Sequence, residues 1–402
     1  MISLDLIKEL SIATPSKIVL LVLDGLGGLP DPQTGRTELE SAHTPNLDRL
    51  AAESICGLAE PVGMGISPGS GPGHLALFGY DPIANLVGRG VLSALGVNFP
   101  LEREDVAARI NFATVDDQGR VVDRRAGRIS TDLNRALVEE LRQRIRIAGV
   151  EVFLETEAGH RAVAIFRGEG LSDKLGDTDP QATGVPPLAT TALAPEAERT
   201  ARIVDEFVKQ AAQVLRDKHP ANYVLLRGFA KHPNLPTMPD IYKLKPAAIA
   251  AYPMYRGLGR LVGMKVLPTG TTLADEIATL RVHWANHDFF FVHYKPTDTS
   301  GEDGDFGGKV AAIQEADRLL PDILALNPDV IAVTGDHSTP AILKVHSWHP
   351  VPFALRSAYV VPDEVDRFSE RACGRGVLGR FPSQEAMLLL MANALKLQKY
   401  GA

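Results

Sequence analysis

Asp24, Asp298 and Asp336 each follow a short apolar run, respectively Val19–Leu23, Phe289–Val292 and Val330–Val333, and His337 stands directly after the third acid. Acids gathered with a histidine repel one another and lose hydration unless a cation neutralises them. Hard divalent cations take oxygen ligands, so the chemistry these residues suggest is metal-assisted. Glu302 and His346 extend the candidate set. Adjacent residues such as Asp336 and His337 can turn toward two different ions, and two cations about 4 Å apart can hold an attacking oxygen and a phosphoryl oxygen together. One acid after a strand would read as a helix cap. Three of them with a histidine point to a cation site.

Ser70 is the candidate nucleophile. It lies in Pro68-Gly69-Ser70-Gly71-Pro72-Gly73-His74-Leu75, where freed amides and a following helix favour an anion such as phosphate. A serine hydroxyl is a weak nucleophile at neutral pH, and a divalent cation lowers its pKa as it does that of water. Taken alone, the segment reads equally well as an ordinary turn. Arg124, Arg125 and Arg128 fall within five residues, and His160 and Arg161 add two more anion-binding candidates. Guanidinium forks match phosphate and carboxylate. Arg227, Arg256 and Lys295 complete the residues expected to meet a phosphorylated acid.

The elements that must position these groups follow from patterning. Apolar runs without polar alternation suit parallel strands buried on both faces of an α/β sheet, and ligands collect at the carboxyl ends of such strands. Lys17–Leu23 is a predicted strand, and Thr44-Pro45 opens a predicted helix with proline in its first turn. Residues 61–73 hold five glycines, three prolines and two serines, which predicts a loop, with the next helix beginning at His74–Phe78. Between about 100 and 225, predicted strands Arg109–Thr114 and Arg161–Arg167 alternate with helices near 131–147 and 197–217, and Asp177–Pro195 reads as a loop. This predicts a discontinuous metal-binding domain, residues 1–100 with 226–402, and an inserted domain, 101–225. The cation site would draw on both ends of the chain.

A length of 402 residues suits about two domains. The net charge of −7 argues against nucleic acid and anionic membranes as partners. No apolar stretch approaches the roughly 20 residues of a membrane helix, and no basic region with a signal-like apolar block opens the chain. A cytoplasmic enzyme is expected. Two cysteines are too few for a disulfide framework or thiolate cluster.

Together the segments Val22-Leu23-Asp24-Gly25, Thr44-Pro45-Asn46-Leu47-Asp48, Gly69-Ser70 with Gly73-His74-Leu75, Phe78-Gly79-Tyr80-Asp81-Pro82, Asp123 to Ser130, Lys295-Pro296-Thr297-Asp298 and Thr334 to Pro340 resemble the alkaline phosphatase superfamily. The likeness is closer to the archaeal-type branch of its 2,3-bisphosphoglycerate-independent phosphoglycerate mutases and spans nearly the whole chain. It implies a three-layer α/β sandwich with a smaller inserted α+β domain, and two divalent ions, manganese first, with magnesium, cobalt and zinc as alternatives. It further implies that Ser70 is transiently phosphorylated, that Asp24, Ser70, Asp336 and His337 hold one ion, and that Asp298 and His346 hold the other. The small-molecule substrate would be phosphoglycerate, clamped by arginines of the inserted domain, whose closure keeps water out; an oligomer is left open. Where the family carries Gly-His-Asp, this chain has Gly301-Glu302-Asp303, so oxygen replaces nitrogen at one ligand and favours manganese or magnesium over zinc. A phosphatase or phosphotransferase of the same superfamily is the alternative reading.

Overall fold

The computed structural model describes residues 2–401 and divides them into two compact units, 2–86 with 235–401 and 87–234. The joins expected at 100/101 and 225/226 fall elsewhere for a physical reason. The Arg89–Gly96 helix packs on strands of the smaller unit, and a strand of that unit runs on to Ala230.

In the larger unit β1 (Ile18–Leu23), β10 (Phe289–Tyr294) and β11 (Val330–Thr334) are buried along their whole length, as continuous apolar runs require. β1 lies between the other two and parallel to both, with Leu23 beside Tyr294 and Val22 beside Thr334. Three carboxyl ends therefore open on one edge. The full sheet adds β2 (Ile55–Glu60), β8 (Pro246–Ala250), β9 (Lys265–Val266), β12 (Val351–Ser357) and β13 (Gly379–Pro382) in the order β13-β2-β12-β11-β1-β10-β8-β9. Only β12 runs antiparallel to its two neighbours.

Side chains of successive strand residues leave opposite faces. Phe290 joins Ile313 and Leu320 of the Phe306–Leu324 helix in one core layer, whereas Phe291 meets Phe78 edge-on, with ring centroids 5.0 Å apart, just beyond the Ser70–Leu77 helix. The sheet is covered on both faces.

The helix expected at Thr44-Pro45 spans Pro45–Ala52. Its first-turn amides of Asn46 and Leu47 donate to Asp317 Oδ1 at 2.9 and 2.8 Å, and the Asn46 side-chain amide donates to Oδ2 at 3.1 Å. Asp317 is buried. Its replacement by alanine strands these donors and should lower stability by about 2 to 3 kcal/mol, read as the urea midpoint, with turnover at saturating substrate unchanged.

The loop expected over 61–73 is shorter than anticipated, because the helix begins at Ser70 and not at His74. Pro72 is the reason this is allowed. It lies in the first turn, where no intrahelical acceptor is lost by its missing N–H.

The smaller unit is a sheet of β3 (Val106–Val115), β4 (Val121–Asp123), β5 (Glu151–Ala158), β6 (Arg161–Arg167) and β7 (Tyr223–Ala230), with β3 between β6 and β7. The Thr131–Arg144 and Glu198–Leu215 helices supply apolar faces to its core through Leu137, Leu141, Val204 and Phe207. Residues 177–194 are loop, as the composition predicts.

Candidate functional site

Asp24 follows β1 directly, Asp336 and His337 follow β11 by a glycine, and Asp298 lies in the first turn of the Pro296–Asp303 helix after β10. All four are buried. Ser70 is the first residue of its helix, and its Oγ is 3.1 Å from His337 Nε2.

The tautomer of His337 follows from its neighbours. Thr339 Oγ1 donates to Asp298 Oδ1 at 2.6 Å, so the 3.0 Å contact to His337 Nδ1 must have the ring nitrogen donating. Burial, which outweighs Asp336, holds His337 below its ordinary pKa and neutral. Nε2 therefore presents a lone pair to Asp24 Oδ1 at 3.3 Å and Asp336 Oδ2 at 3.2 Å. Both carboxylate atoms are buried without a hydrogen-bond partner among the described residues. Acceptors facing acceptors in a buried pocket repel one another unless a cation joins them.

The other carboxylate edges are already occupied. Asp24 Oδ2 accepts from His293 Nε2 and from Lys295 Nζ, each at 3.1 Å. Burial opposes the Asp24 charge, yet Lys295 and then the His293 bond hold its carboxyl well below the usual range. His74 Nδ1, one turn after Ser70, lies 2.8 Å from the Ser70 carbonyl oxygen and 3.0 Å from Asp336 Oδ2. One N–H cannot satisfy both, which leaves Asp336 Oδ2 available.

A second ligand set shares His337. His346 Nδ1 donates to the Pro68 carbonyl at 2.9 Å, and its Nε2 faces Asp298 Oδ1 at 3.4 Å and Glu302 Oε1 at 3.6 Å. Burial disfavours a charged His346, but the nearby Glu302 and then Asp298 push its pKa up to about 9. Asp24, Asp336 and His337 form one compact group and Asp298, His337 and His346 another, so these side chains can hold two divalent cations. Glu302 stands at the rim, with its side chain 55% exposed.

Lys295 was expected at the substrate. Its Nζ lies among Asp24 Oδ2, Asp298 Oδ2 at 2.5 Å and Tyr255 OH at 3.0 Å. The ammonium thus balances the acids between which it sits. Arg256 is the next residue after Tyr255, on the Pro253–Leu261 helix.

In the smaller unit Arg109 stands opposite Arg227 across β3 and β7, and Asn111, on the same face as Arg109, stands opposite Arg161. Arg89 lies close enough to act on Arg109, which burial and then Arg89 and Arg161 lower to about 10. Burial, followed by Arg161, Arg125, Arg109 and Arg128, lowers His160 to about 4. The structure thus brings Arg125, Arg128, His160, Arg161 and Arg227 together and adds Arg89 and Arg109, which sequence reasoning missed. Arg109 was legible only as a polar residue alternating within a strand. Arg124 departs from expectation. Its fork closes on Asp179 with two bonds of 2.8 Å, because that buried carboxylate needs a counter-charge.

A depressed histidine pKa has a definite sign. The unfolded chain protonates His160 near 6.5 and the folded one near 4, so stability declines as pH falls through that interval. Proton NMR of the imidazole should show it neutral at pH 5.5; an ordinary titration near 6.5 would contradict the cluster.

His74, His293 and Thr339 were also not anticipated as site residues. His293 carries the clearest missed signal, an imidazole inside the apolar strand Phe289–Tyr294, where it stacks on Tyr255 at 3.5 Å between ring centroids.

Comparison with known proteins agrees with this geometry. The family model described as 2,3-bisphosphoglycerate-independent phosphoglycerate mutase matches residues 51–222. A Thermus thermophilus protein named as a probable enzyme of that kind is 56% identical over 400 residues, covering 98% of each chain. A counterpart from Aquifex aeolicus, named likewise, is 51% identical over 408 residues, covering 99% of this chain and all of its own. Among solved structures, a Pyrococcus horikoshii protein superposes with a TM-score of 0.85 at 31% identity, over 97% of this chain and 100% of that one. The cofactor-independent phosphoglycerate mutase of Thermoplasma acidophilum gives 0.70 at 32% identity, over 94% and 100%. With near-complete coverage on both sides and more than half of the residues shared with the Thermus protein, the chain belongs to the 2,3-bisphosphoglycerate-independent phosphoglycerate mutases.

Proposed function

We propose that this protein interconverts 3-phosphoglycerate and 2-phosphoglycerate through a phosphoserine at Ser70, without 2,3-bisphosphoglycerate. The observation that carries the reading is the place of Ser70 Oγ, 3.1 Å from Nε2 of His337, the residue that lies among both groups of candidate ligands.

Asp24, Asp336 and His337, with Ser70, are the residues that would hold one divalent cation, and Asp298 and His346, with Glu302, those for the other. Divalent cations held there, manganese first, lower the pKa of a hydroxyl and offset phosphoryl charge. Ser70 Oγ attacks phosphorus, the bond to the glycerate oxygen breaks, and the phosphoryl group rests on the serine. The amides at the start of the Ser70–Leu77 helix favour the anion. The other glycerate hydroxyl then attacks the same phosphorus and restores Ser70. Each half-reaction forms one phosphoester bond and breaks one. We assign retention of the glycerate anion between the halves to Arg89, Arg109, Arg161 and Arg227, whose forks suit a carboxylate or phosphate.

We further assign the enzyme to the cytoplasm and to glycolysis and gluconeogenesis. Incubation with Mn2+ and 3-phosphoglycerate, with no bisphosphoglycerate added, tests the reading. 2-Phosphoglycerate is the expected product; free phosphate in its place would identify a phosphatase.

A further inference from the structure

We propose that Lys309 is a positioning residue whose buried ammonium acts as a fixed internal cation, setting the two loops that present the candidate metal ligands. Lys309 lies in the Phe306–Leu324 helix and is 0% exposed. An ammonium has three N–H bonds to give. Nζ donates to the carbonyls of Gly25 at 2.9 Å, Gly27 at 2.9 Å and Thr339 at 2.8 Å.

Those acceptors are not scattered. Gly25 and Gly27 belong to the loop that leaves Asp24, and Thr339 belongs to the loop that carries Asp336 and His337. The loops also bind each other: Gly25 N donates to Asp336 Oδ1 at 3.1 Å, and Thr339 N to Gly25 O and Gly27 O at 3.2 and 3.1 Å. Thr339 Oγ1 in turn fixes His337 Nδ1 and Asp298 Oδ1. Through one residue's backbone and hydroxyl, the ammonium therefore bears on His337 and Asp298, and through Gly25 it bears on Asp24.

The buried Glu38 and the half-buried Glu370 complete the arrangement with the opposite polarity. Glu38 accepts from Ala341 N at 2.7 Å, and Glu370 from Gly28 N at 2.9 Å and Thr37 Oγ1 at 2.7 Å. The cation takes loop carbonyls, and the anions take loop amides. Burial lowers the Lys309 pKa, and Glu38 and Glu370 are the largest influences opposing it. A buried charge is costly unless paired and hydrogen-bonded. Here it is fully hydrogen-bonded, with Glu38 and Glu370 as the opposing charges that bear on it, and every bond the ammonium makes ends on a loop of the site.

The inference rests on the two-cation reading of this site. Its test reads metal binding without substrate. Mn2+ is titrated into the metal-free full-length protein and followed by electron paramagnetic resonance for wild type, Lys309→Met and Lys309→Gln, with circular dichroism confirming the fold. Methionine keeps the length and loses the charge; glutamine loses the charge and keeps N–H donors. Loss of an outer partner of metal ligands weakens affinity about 10- to 100-fold, so we expect that loss in Lys309→Met and a smaller one in Lys309→Gln. With Mn2+ saturating, kcat should fall while KM for 3-phosphoglycerate changes by less than about twofold. If the methionine variant does not fold, the glutamine variant carries the test. A folded variant with wild-type Mn2+ affinity and kcat overturns the inference. A wild-type protein that binds no Mn2+ overturns the underlying site reading instead.

Discussion

Ser70→Ala lowers conversion of 3-phosphoglycerate to 2-phosphoglycerate by about 10³-fold or more, measured in an enolase-coupled assay with Mn2+ present and bisphosphoglycerate absent. The size of the effect follows from position. Ser70 begins its helix, its Oγ meets His337 Nε2, and the next turn is tied through the His74 ring to the Ser70 carbonyl. Removing one oxygen leaves that frame standing and takes away the atom that must carry the phosphoryl group. The same variant should show no phosphoserine by mass spectrometry after exposure to substrate, whereas wild type shows it at Ser70. Turnover that survives the substitution, or a wild-type protein that never becomes phosphorylated while active, would sink the phosphoserine route. A variant that releases free phosphate from 3-phosphoglycerate at the wild-type rate would do the same, since a nucleophile other than Ser70 would then be at work.

How far the sequence foretells such a site depends on whether a residue's role is local. Asp24, Asp336 and His337 were legible because a buried parallel strand announces itself as an uninterrupted apolar run, and its carboxyl end is where ligands collect. Asp298 was legible by the same run, although it acts from a helix one turn beyond the strand. Ser70 was singled out on weaker grounds and stands beside His337, and its helix was expected to start four residues late because glycine and proline read as loop.

Residues whose roles depend on register escaped. Arg109 was not anticipated, because it meets Arg227, which was, only when β3 pairs with β7, and nothing in the Val106–Val115 segment alone indicates that pairing. Arg124 failed in the opposite way. It belongs to an obvious arginine run, yet Asp179, 55 residues away in sequence, takes its fork. Lys309 is the extreme case. A lysine on an amphipathic helix ordinarily reads as solvated, and only the three carbonyls of two distant loops reveal why this one is buried.

The two ligand sets make unequal predictions for their members, and His337 is the decisive one. It is the residue common to both sets, whereas His346 belongs to one. His337→Ala removes the nitrogen lone pair that faces both Asp24 Oδ1 and Asp336 Oδ2, and with it a ligand of the cation those oxygens would share. Turnover should fall by about 10³-fold or more, and calorimetric Mn2+ titration should lose the binding event of the Asp24, Asp336 and Ser70 set, since Nε2 has a single lone pair to give. His346→Ala should lose one event and keep the other, because Asp24, Asp336 and His337 are untouched. The pair of variants separates the two sites. If His337→Ala and His346→Ala abolished the same binding event, the division of the ligands between two cations would be wrong. If neither changed Mn2+ stoichiometry, the buried acids would owe their neutrality to Lys295 and the surrounding imidazoles alone. A chelator supplies the corresponding control on wild type: activity should vanish on treatment and return when Mn2+ is restored, since the fold's own hydrogen bonds around Asp24 and Thr339 hold the ligands in place without the ion.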